Sequence, residues 1–261
     1  MIGRPAQKPS TSRLRDSLGA LLLLMTGVPA AAQTAETVEG LGPQQGDWEL
    51  EYVGEFGEAN GSKDKRQHSG QSFYGVKDWL ALGGETQLSY RSGPLVKQDR
   101  LYFDYDSAIA IVRFSDPEKD PVGLGVWVQA GLDVSDGELA RLEARFIAEK
   151  KALQWWGQAN LMVRRVNQEK QEGGYVAYAL RLRHAIGSST WIGGEASGQM
   201  LELGGFAREP LEKGHYLGPN LMQEIGLGNH ARLRLGVSYL HRLDEHQGLQ
   251  NLLQISAALR F

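Results

Sequence analysis

The stretch that decides the fold is the last one, residues 249–261, which reads LQNLLQISAALRF. Apolar side chains occupy every second position from Leu253 to Phe261, and polar residues such as Gln254 and Arg260 lie between them. A period of two residues places alternate side chains on opposite faces of an extended chain. The C-terminal stretch therefore predicts a β-strand with one apolar face and one polar face.

The same alternation recurs along the chain. Residues 232–239, 175–183 and 123–132 each carry apolar side chains at every second position. Residues 139–149 have a helix-forming composition, but their apolar residues gather on one side only if the segment is a strand, so a strand is favoured. We expect about twelve strands, at 47–57, 68–77, 79–92, 98–114, 121–134, 137–149, 153–166, 173–185, 189–201, 214–227, 230–241 and 249–261.

The connections between these segments alternate in length. Short turns such as 77–78 and 228–229 are separated by longer polar connections, namely 57–67, 166–172, 201–213 and 242–248. Short turns at one rim and longer loops at the other are typical of transmembrane barrels, and an even strand number returns both termini to one rim. The alternation fails near residues 106–108, which predicts a β-bulge there.

The first 32 residues have the features of a secretory signal peptide. Basic residues precede an apolar run of 11 residues, 18–28, and three alanines close the segment. The run is shorter than the roughly 20 residues that span a bilayer as a helix. We therefore predict a signal peptide over residues 1–32 with cleavage before Gln33, a short periplasmic segment over 33–46, and a barrel over 47–261.

Composition excludes several classes of protein. The chain has no Cys, which excludes a disulfide scaffold, a thiolate metal site and a Cys nucleophile. The signal peptide holds four basic residues and Asp16, so its removal changes the formal charge from −3 to −6, and no basic surface for nucleic acid is expected. We expect no cofactor and no metal. No later stretch is apolar enough for a membrane helix, so a membrane location would require a closed barrel.

Most charged residues of the predicted strands share one register. On a membrane barrel this register would line the lumen and the apolar register would face lipid, whereas on a soluble periplasmic barrel or sandwich it would be solvated surface. The membrane barrel is favoured. The predicted lumen-lining residues are Glu49, Glu51, Glu85, Arg141, Glu143, Arg145, Arg164, Arg181, Arg183, Glu195, Arg232 and Arg234. The predicted interfacial aromatic residues on the apolar register are Tyr52, Tyr90, Tyr105, Trp155 and Tyr178.

With its signal sequence, its alternating segments and its terminal aromatic residue, the chain resembles bacterial outer-membrane β-barrel proteins. The resemblance implies that Phe261, with Leu259 and Ala257 on the same face, is the signal recognised by the barrel assembly machinery. It also implies a location in the outer membrane, among its lipids and lipopolysaccharide.

The motifs DWELEYVGEFG, GGE and LGP are similar to those of small outer-membrane transporters, including those grouped with phenol-degradation pathways and with copper-resistance B proteins. The chain lacks the Met- and His-rich N-terminal tract of copper-resistance B, so a copper role is not expected.

These features predict an outer-membrane pore or passive transporter for small solutes. Glu residues on the early strands would face Arg residues on the later strands, and the resulting field would orient dipolar or anionic solutes. The alternative for the same charges is a ladder of salt bridges that leaves no pore. The other function classes are a lipid hydrolase or acyltransferase that uses His68 or His184, and a non-conducting binding or structural barrel.

Overall fold

A computed structural model describes residues 36–59, 65–91, 100–134, 137–168, 171–203, 214–228, 230–244 and 249–261. The predicted signal peptide, residues 1–32, lies outside these ranges. Each strand begins and ends within three residues of its predicted bounds. The strands are β1 (Trp48–Ala59), β2 (Lys65–Lys77), β3 (Leu80–Arg91), β4 (Arg100–Arg113), β5 (Gly123–Asp133), β6 (Leu139–Ala152), β7 (Trp155–Gln168), β8 (Gln171–Ala185), β9 (Thr190–Glu202), β10 (His215–Gly226), β11 (Arg232–Arg242) and β12 (Leu249–Arg260).

The twelve strands form one closed antiparallel barrel. Each strand pairs with its neighbours in the chain, and β1 pairs with β12 to close the ring, with Glu49 opposite Arg260. At the end of this seam the Trp48 amide donates to the Phe261 carbonyl (2.8 Å) and the Phe261 amide donates to the Trp48 carbonyl (3.0 Å). A closed ladder leaves no strand edge unpaired. The predicted all-β class with twelve antiparallel strands is confirmed.

The segment with helix-forming composition is a strand. β6 pairs with β5 on one side and with β7 on the other. Its charged residues Glu143 and Arg145 are each 3% exposed, whereas Leu142 and Phe146 are 41% and 55% exposed. Two hydrogen-bonded ladders and a consistent division between faces outweigh the helical propensity of the segment.

The distribution of polar and apolar side chains is the reverse of that in a soluble protein. The inward register is polar, with Glu195 and Gln129 each 1% exposed, and the outward register is apolar, with Leu182 54% exposed. In water, an outer face of that composition would be a very large exposed apolar patch. A face in contact with lipid, in contrast, must be apolar. Within the described residues no helix is long and apolar enough to cross a bilayer.

A bulge reverses the expected orientation of one aromatic residue. In the pairing of β3 with β4, Gln87 lies opposite Tyr105 and the next residue of β3 lies opposite Phe103, which leaves Asp104 as the extra residue. The bulge therefore precedes the predicted position at 106–108. An extra residue shifts the register by one, so Tyr105 points inward and is 2% exposed. Its predicted place among the interfacial aromatic residues was wrong.

Residues 36–46, which we call the plug, run inside the barrel without regular secondary structure. Leu41 belongs to a buried apolar cluster with side chains of β2 to β6, among them Phe73, Ile111 and Trp127. The segment 33–46 was expected to lie in the periplasm. The structure instead places its described part in the lumen, where the inner wall offers an apolar patch for Leu41.

The plug passes close to Gly75 of β2 as it joins β1. The Gly46 amide donates to the Gly75 carbonyl (2.8 Å), and the Gly75 amide donates to the Asp47 carbonyl (3.0 Å). A Cβ atom at position 75 would lie 1.8 Å from the Gln44 carbonyl oxygen. Only a residue without a side chain allows the two backbones to approach this closely.

We predict that Gly75→Ala lowers the free energy of unfolding by about 1–3 kcal/mol, because the added methyl group displaces backbone. The measurement is urea unfolding of the detergent-solubilised barrel, followed by tryptophan fluorescence. Gly70→Ala is the matched control on the same strand, since a Cβ atom there meets nothing within 4 Å. Its expected effect is about 0.5 kcal/mol at most. Equal losses at the two positions would contradict this account of the plug.

Candidate functional site

The centre of the inner wall holds a cluster of charges around Glu143, whose side chain is 0% exposed. Its carboxylate accepts hydrogen bonds from Arg141 Nη2 (2.7 Å), Arg145 Nη2 (2.6 Å) and Arg164 Nε (2.5 Å). Alternation along β6 places three of these residues on one face, and the β6–β7 register places Arg164 opposite Glu143. Three guanidinium groups around one carboxylate leave an excess of positive charge.

The plug supplies a further acid to this cluster. Arg164 donates from Nη1 to Glu36 Oε1 (2.9 Å) and from Nη2 to Glu36 Oε2 (2.6 Å), which is a bidentate ion pair. The Tyr175 hydroxyl also donates to Glu36 Oε1 (3.2 Å). Glu36 was not among the predicted site residues, and nothing in the sequence marks it as lying in the lumen. The plug thus balances charge that the wall by itself leaves uncompensated.

Side chains of the wall also bind the backbone of the plug. Arg145 Nη1 donates to the Thr37 carbonyl (2.6 Å), and Arg113 Nε donates to the Leu41 carbonyl (2.8 Å). Asn160 accepts from the Glu39 amide (2.7 Å) and donates to the Glu39 carbonyl (3.1 Å). An extended segment has no internal partners for its amides and carbonyls, so the wall must provide them.

Besides Asn160, two wall residues that bind the plug backbone were missed from the predicted set although they share its inward register. Glu149 lies two positions beyond Ile147 on the inner face of β6, and its Oε2 accepts from the Leu41 amide (3.3 Å). Arg113 ends β4 on the inner side. Extending the register to the last residues of each strand would have found both.

A second apolar contact fixes the middle of the plug. Val38 packs in a buried cluster with Met162, Tyr175, Ala177 and Ala179, all on the inner faces of β7 and β8. Together with the Leu41 cluster, this gives the plug two apolar anchors three residues apart. These anchors were not predicted from the sequence, because a few apolar side chains on a polar face look like ordinary interruptions of the alternation.

Glu39 is a buried acid of the plug with a weak ion pair. Its carboxylate lies 3.9 Å from Arg145 Nη1. Burial raises the pKa of the Glu39 carboxyl above its ordinary value, and the attraction of Arg145 opposes this only in part. A group whose pKa is raised in the docked state binds its proton more tightly there than in water. Docking of the plug is therefore favoured below the ordinary pKa and weakens as the pH rises through the raised value.

The predicted residues near the rim where β1 begins and β12 ends form further ion pairs. Glu49 of β1 accepts from Arg260 Nε (2.6 Å) and from Arg234 Nη2 (3.1 Å). Arg181 Nε donates to Glu195 Oε2 (2.9 Å). Arg232 lies 3.6 Å from Glu224 at the mouth, where its side chain is 71% exposed. Acidic and basic residues are thus interleaved here.

The remaining predicted residues lie apart from these pairs. Glu85 is 9% exposed and accepts from the Gln129 amide in the half of the lumen beyond the plug. Glu51 and Arg183 both line the large cavity described next. The structure therefore brings the predicted residues into three groups, around Glu143, around Glu195 and around Glu49. It does not divide them into one acidic and one basic wall.

The plug leaves unequal spaces on its two sides. A cavity of about 400 Å³, the large cavity, opens toward the rim where β1 begins and β12 ends, and it is lined by plug residues and by charged side chains of β1, β4, β6, β8, β10, β11 and β12. A cavity of about 40 Å³ lies on the other side, between Glu36, Gln71 and Gln129. The second volume is about that of a few water molecules. Among the described residues, the plug and the wall therefore leave little free space at the level of Glu36 and the Glu143 cluster.

The two histidines proposed for lipid chemistry do not meet a serine in the described part of the chain. His68 Nδ1 is hydrogen-bonded to the Tyr52 hydroxyl (2.7 Å) on the outer face. The His184 ring packs against Trp155, with ring centroids 4.6 Å apart, and its Nδ1 has no hydrogen-bond partner among the described residues. A nucleophile activated by a base requires a direct hydrogen bond between the two, and neither histidine provides it here.

We predict that Glu143→Gln destabilises the barrel by about 3–5 kcal/mol, because it leaves buried guanidinium groups without their shared counter-charge. Thermal unfolding, followed as the change in electrophoretic mobility on heating, measures the effect. Glu224→Gln removes the same charge from an exposed pair, for which the expected effect is about 0–1 kcal/mol. Similar losses for the two variants would show that the Glu143 cluster is not a buried network.

Comparison with known proteins identifies the fold. No family model and no curated protein matches this chain. An outer membrane channel from Pseudomonas putida F1 superposes with a TM-score of 0.55 and 13% identity, over 84% of this chain and 97% of that one. The NanC porin gives a TM-score of 0.52 and 8% identity, over 81% of this chain and 98% of that one. The resemblance to outer-membrane β-barrel proteins is confirmed at the level of the fold.

Proposed function

We propose that this chain is an outer-membrane channel for small solutes, and that its own N-terminal segment closes the lumen. The observation that carries the proposal is the plug itself. Residues 36–46 occupy the middle of the lumen, where Val38 and Leu41 pack against inner-face side chains of β2 to β8. Movement of the plug would open a passage lined by charged residues.

The contacts of the plug are suited to reversible docking. Many of its partners are guanidinium, amide and carboxylate groups that water replaces on release, as at Arg145, Arg113 and Asn160. Its apolar contacts include Val38 and Leu41, whose burial contributes about 1.5–3 kcal/mol each, and the fully buried Pro43. A stabilisation of this size holds the segment in place and still allows a small open fraction.

The location follows from the same argument. An apolar outer face and a closed ladder suit a bilayer, and a signal peptide over residues 1–32 would deliver the chain to the periplasm. Phe261, Leu259 and Ala257 on β12 would then serve the assembly machinery. Outer-membrane lipids and lipopolysaccharide would surround the apolar face, while small solutes would enter the lumen. A shut lumen also favours a second candidate function, a non-conducting binding barrel.

The test is the ion conductance of the refolded chain from residue 33 onward in a planar lipid bilayer. The wild-type chain, with its plug intact, is expected to give rare, short channel openings. The double variant Val38→Ser with Leu41→Ser removes both apolar anchors and is expected to raise the open fraction about a hundredfold. Gln45→Ser, at an exposed position of the plug, is the control and is expected to behave like the wild type.

The outcomes separate the two candidates. A folded, inserted double variant that passes no ions would exclude the channel and leave the binding barrel. Equal, frequent openings in the wild type and in the double variant would support a channel but contradict closure by the plug.

A further inference from the structure

Arg183 of β8 is buried, and no carboxylate of the described residues lies within ion-pair distance of it, since Glu195 and Glu51 attract its charge only from farther away. Its side chain is 4% exposed. Its Nε donates to Asn220 Oδ1, and its Nη1 lies 3.2 Å from Met222 Sδ. Both partners are neutral. The inward arginines Arg145 and Arg164 are similarly buried, and each has the Glu143 carboxylate within 2.6 Å.

An unbalanced buried cation is costly. Even after relaxation the penalty for removing an ion from water is several kcal/mol, and an adjacent aromatic ring returns about 0.5–2 kcal/mol of it. Arg183 has such a ring, since its guanidinium carbon lies 5.3 Å from the centroid of Trp156. The remaining deficit would be removed by an anion in the large cavity, which Arg183 lines.

A second cation lies beside the same indole. Lys151 Nζ is 4.6 Å from the centroid of Trp156 and also lines the large cavity. The ring is held in place because Trp156 Nε1 donates to Glu149 Oε1 (2.9 Å). That carboxylate is also engaged with the Leu41 amide. Lys151 of β6 and Arg183 of β8 lie opposite Trp156 on the two strands that flank it, and each presents a positive group to this fixed ring.

We propose that Arg183 and Lys151 bind the carboxylate of a small organic acid in the large cavity. This inference rests on the proposed channel function and names the class of solute. A guanidinium group offers paired N–H donors that match the two oxygens of a carboxylate, and an ammonium adds a third donor. The cavity of about 400 Å³ is of the size that accepts small ligands.

The surroundings limit the class of acid further. Trp156, Met222 and, from the plug side, Leu41 line the cavity, so an apolar body next to the carboxylate has surfaces to contact. Glu51 faces the same space and would repel a second negative charge. A monocarboxylate with a compact apolar body fits both conditions better than a dicarboxylate.

The test is the binding of benzoate to the detergent-solubilised barrel, measured by isothermal titration calorimetry, with succinate as the dicarboxylate for comparison. Wild type is expected to bind benzoate with a dissociation constant in the millimolar range or below, and succinate more weakly. Arg183→Gln is expected to weaken benzoate binding by about tenfold or more. Arg232→Gln removes the same charge from the exposed mouth of the cavity, and its expected effect is about threefold or less.

Each outcome decides the inference. Failure of the wild type to bind benzoate would overturn it without reference to any variant, including the case in which Arg183→Gln does not fold. Equal weakening by the two arginine variants would also overturn it, since overall charge and not a site would then control binding. Binding does not require conduction, so a barrel that binds benzoate but passes no ions would remove the channel function and leave the site. A barrel that conducts ions but does not bind benzoate would remove the site and leave the channel function.

Discussion

Charge inside this barrel must be balanced inside it, because the wall and the plug separate the inner residues from bulk water. Glu143 is the centre of that balance, with Arg141, Arg145 and Arg164 around it. The wall alone provides too few acids at this level, and Glu36 of the plug provides another. The position of residues 36–46 is thus tied to the electrostatics of the wall.

The two sides of the plug differ for the same reason. On the far side, charged and amide groups approach each other and leave about 40 Å³. On the side where β1 begins and β12 ends, ion-paired residues such as Glu49 and Arg181 lie against the wall, and the cavity that they line with the plug amounts to about 400 Å³. A channel with this arrangement would offer a solute a binding chamber before the barrier and would release it only when the barrier moves.

The fold could be predicted from the sequence because a single local rule, the period of two residues, fixes both the strands and their faces. The inward register of the charged residues follows from that rule. The rule placed Tyr105 on the wrong face, because the extra residue Asp104 reverses the orientation of the side chains that follow it in β4. The pairing of charges was also beyond the sequence, because it depends on the register between strands. Glu143 of β6 lies opposite Arg164 of β7, and a rule that applies within one strand does not predict which residues of two strands are paired.

The plug was the largest difference between expectation and structure. Residues 36–46 have no repeating pattern, and their anchors are two isolated apolar residues, Val38 and Leu41. Isolated apolar residues in a polar segment are typical of a loop, so a location outside the barrel was the natural interpretation. The contact is visible only from the wall, where the partners of Leu41 come from β2, β4, β5 and β6 and are distant from one another in sequence.

The most direct test of closure by the plug is the reaction of single cysteines with a membrane-impermeant thiol reagent, since the chain has no Cys of its own. Val38→Cys is expected to react at least about a hundredfold more slowly than Gln45→Cys in the inserted barrel, because position 38 is 4% exposed and position 45 lies at the exposed end of the plug. Equal rates at the two positions would show that residues 36–46 lie outside the lumen and would contradict the account.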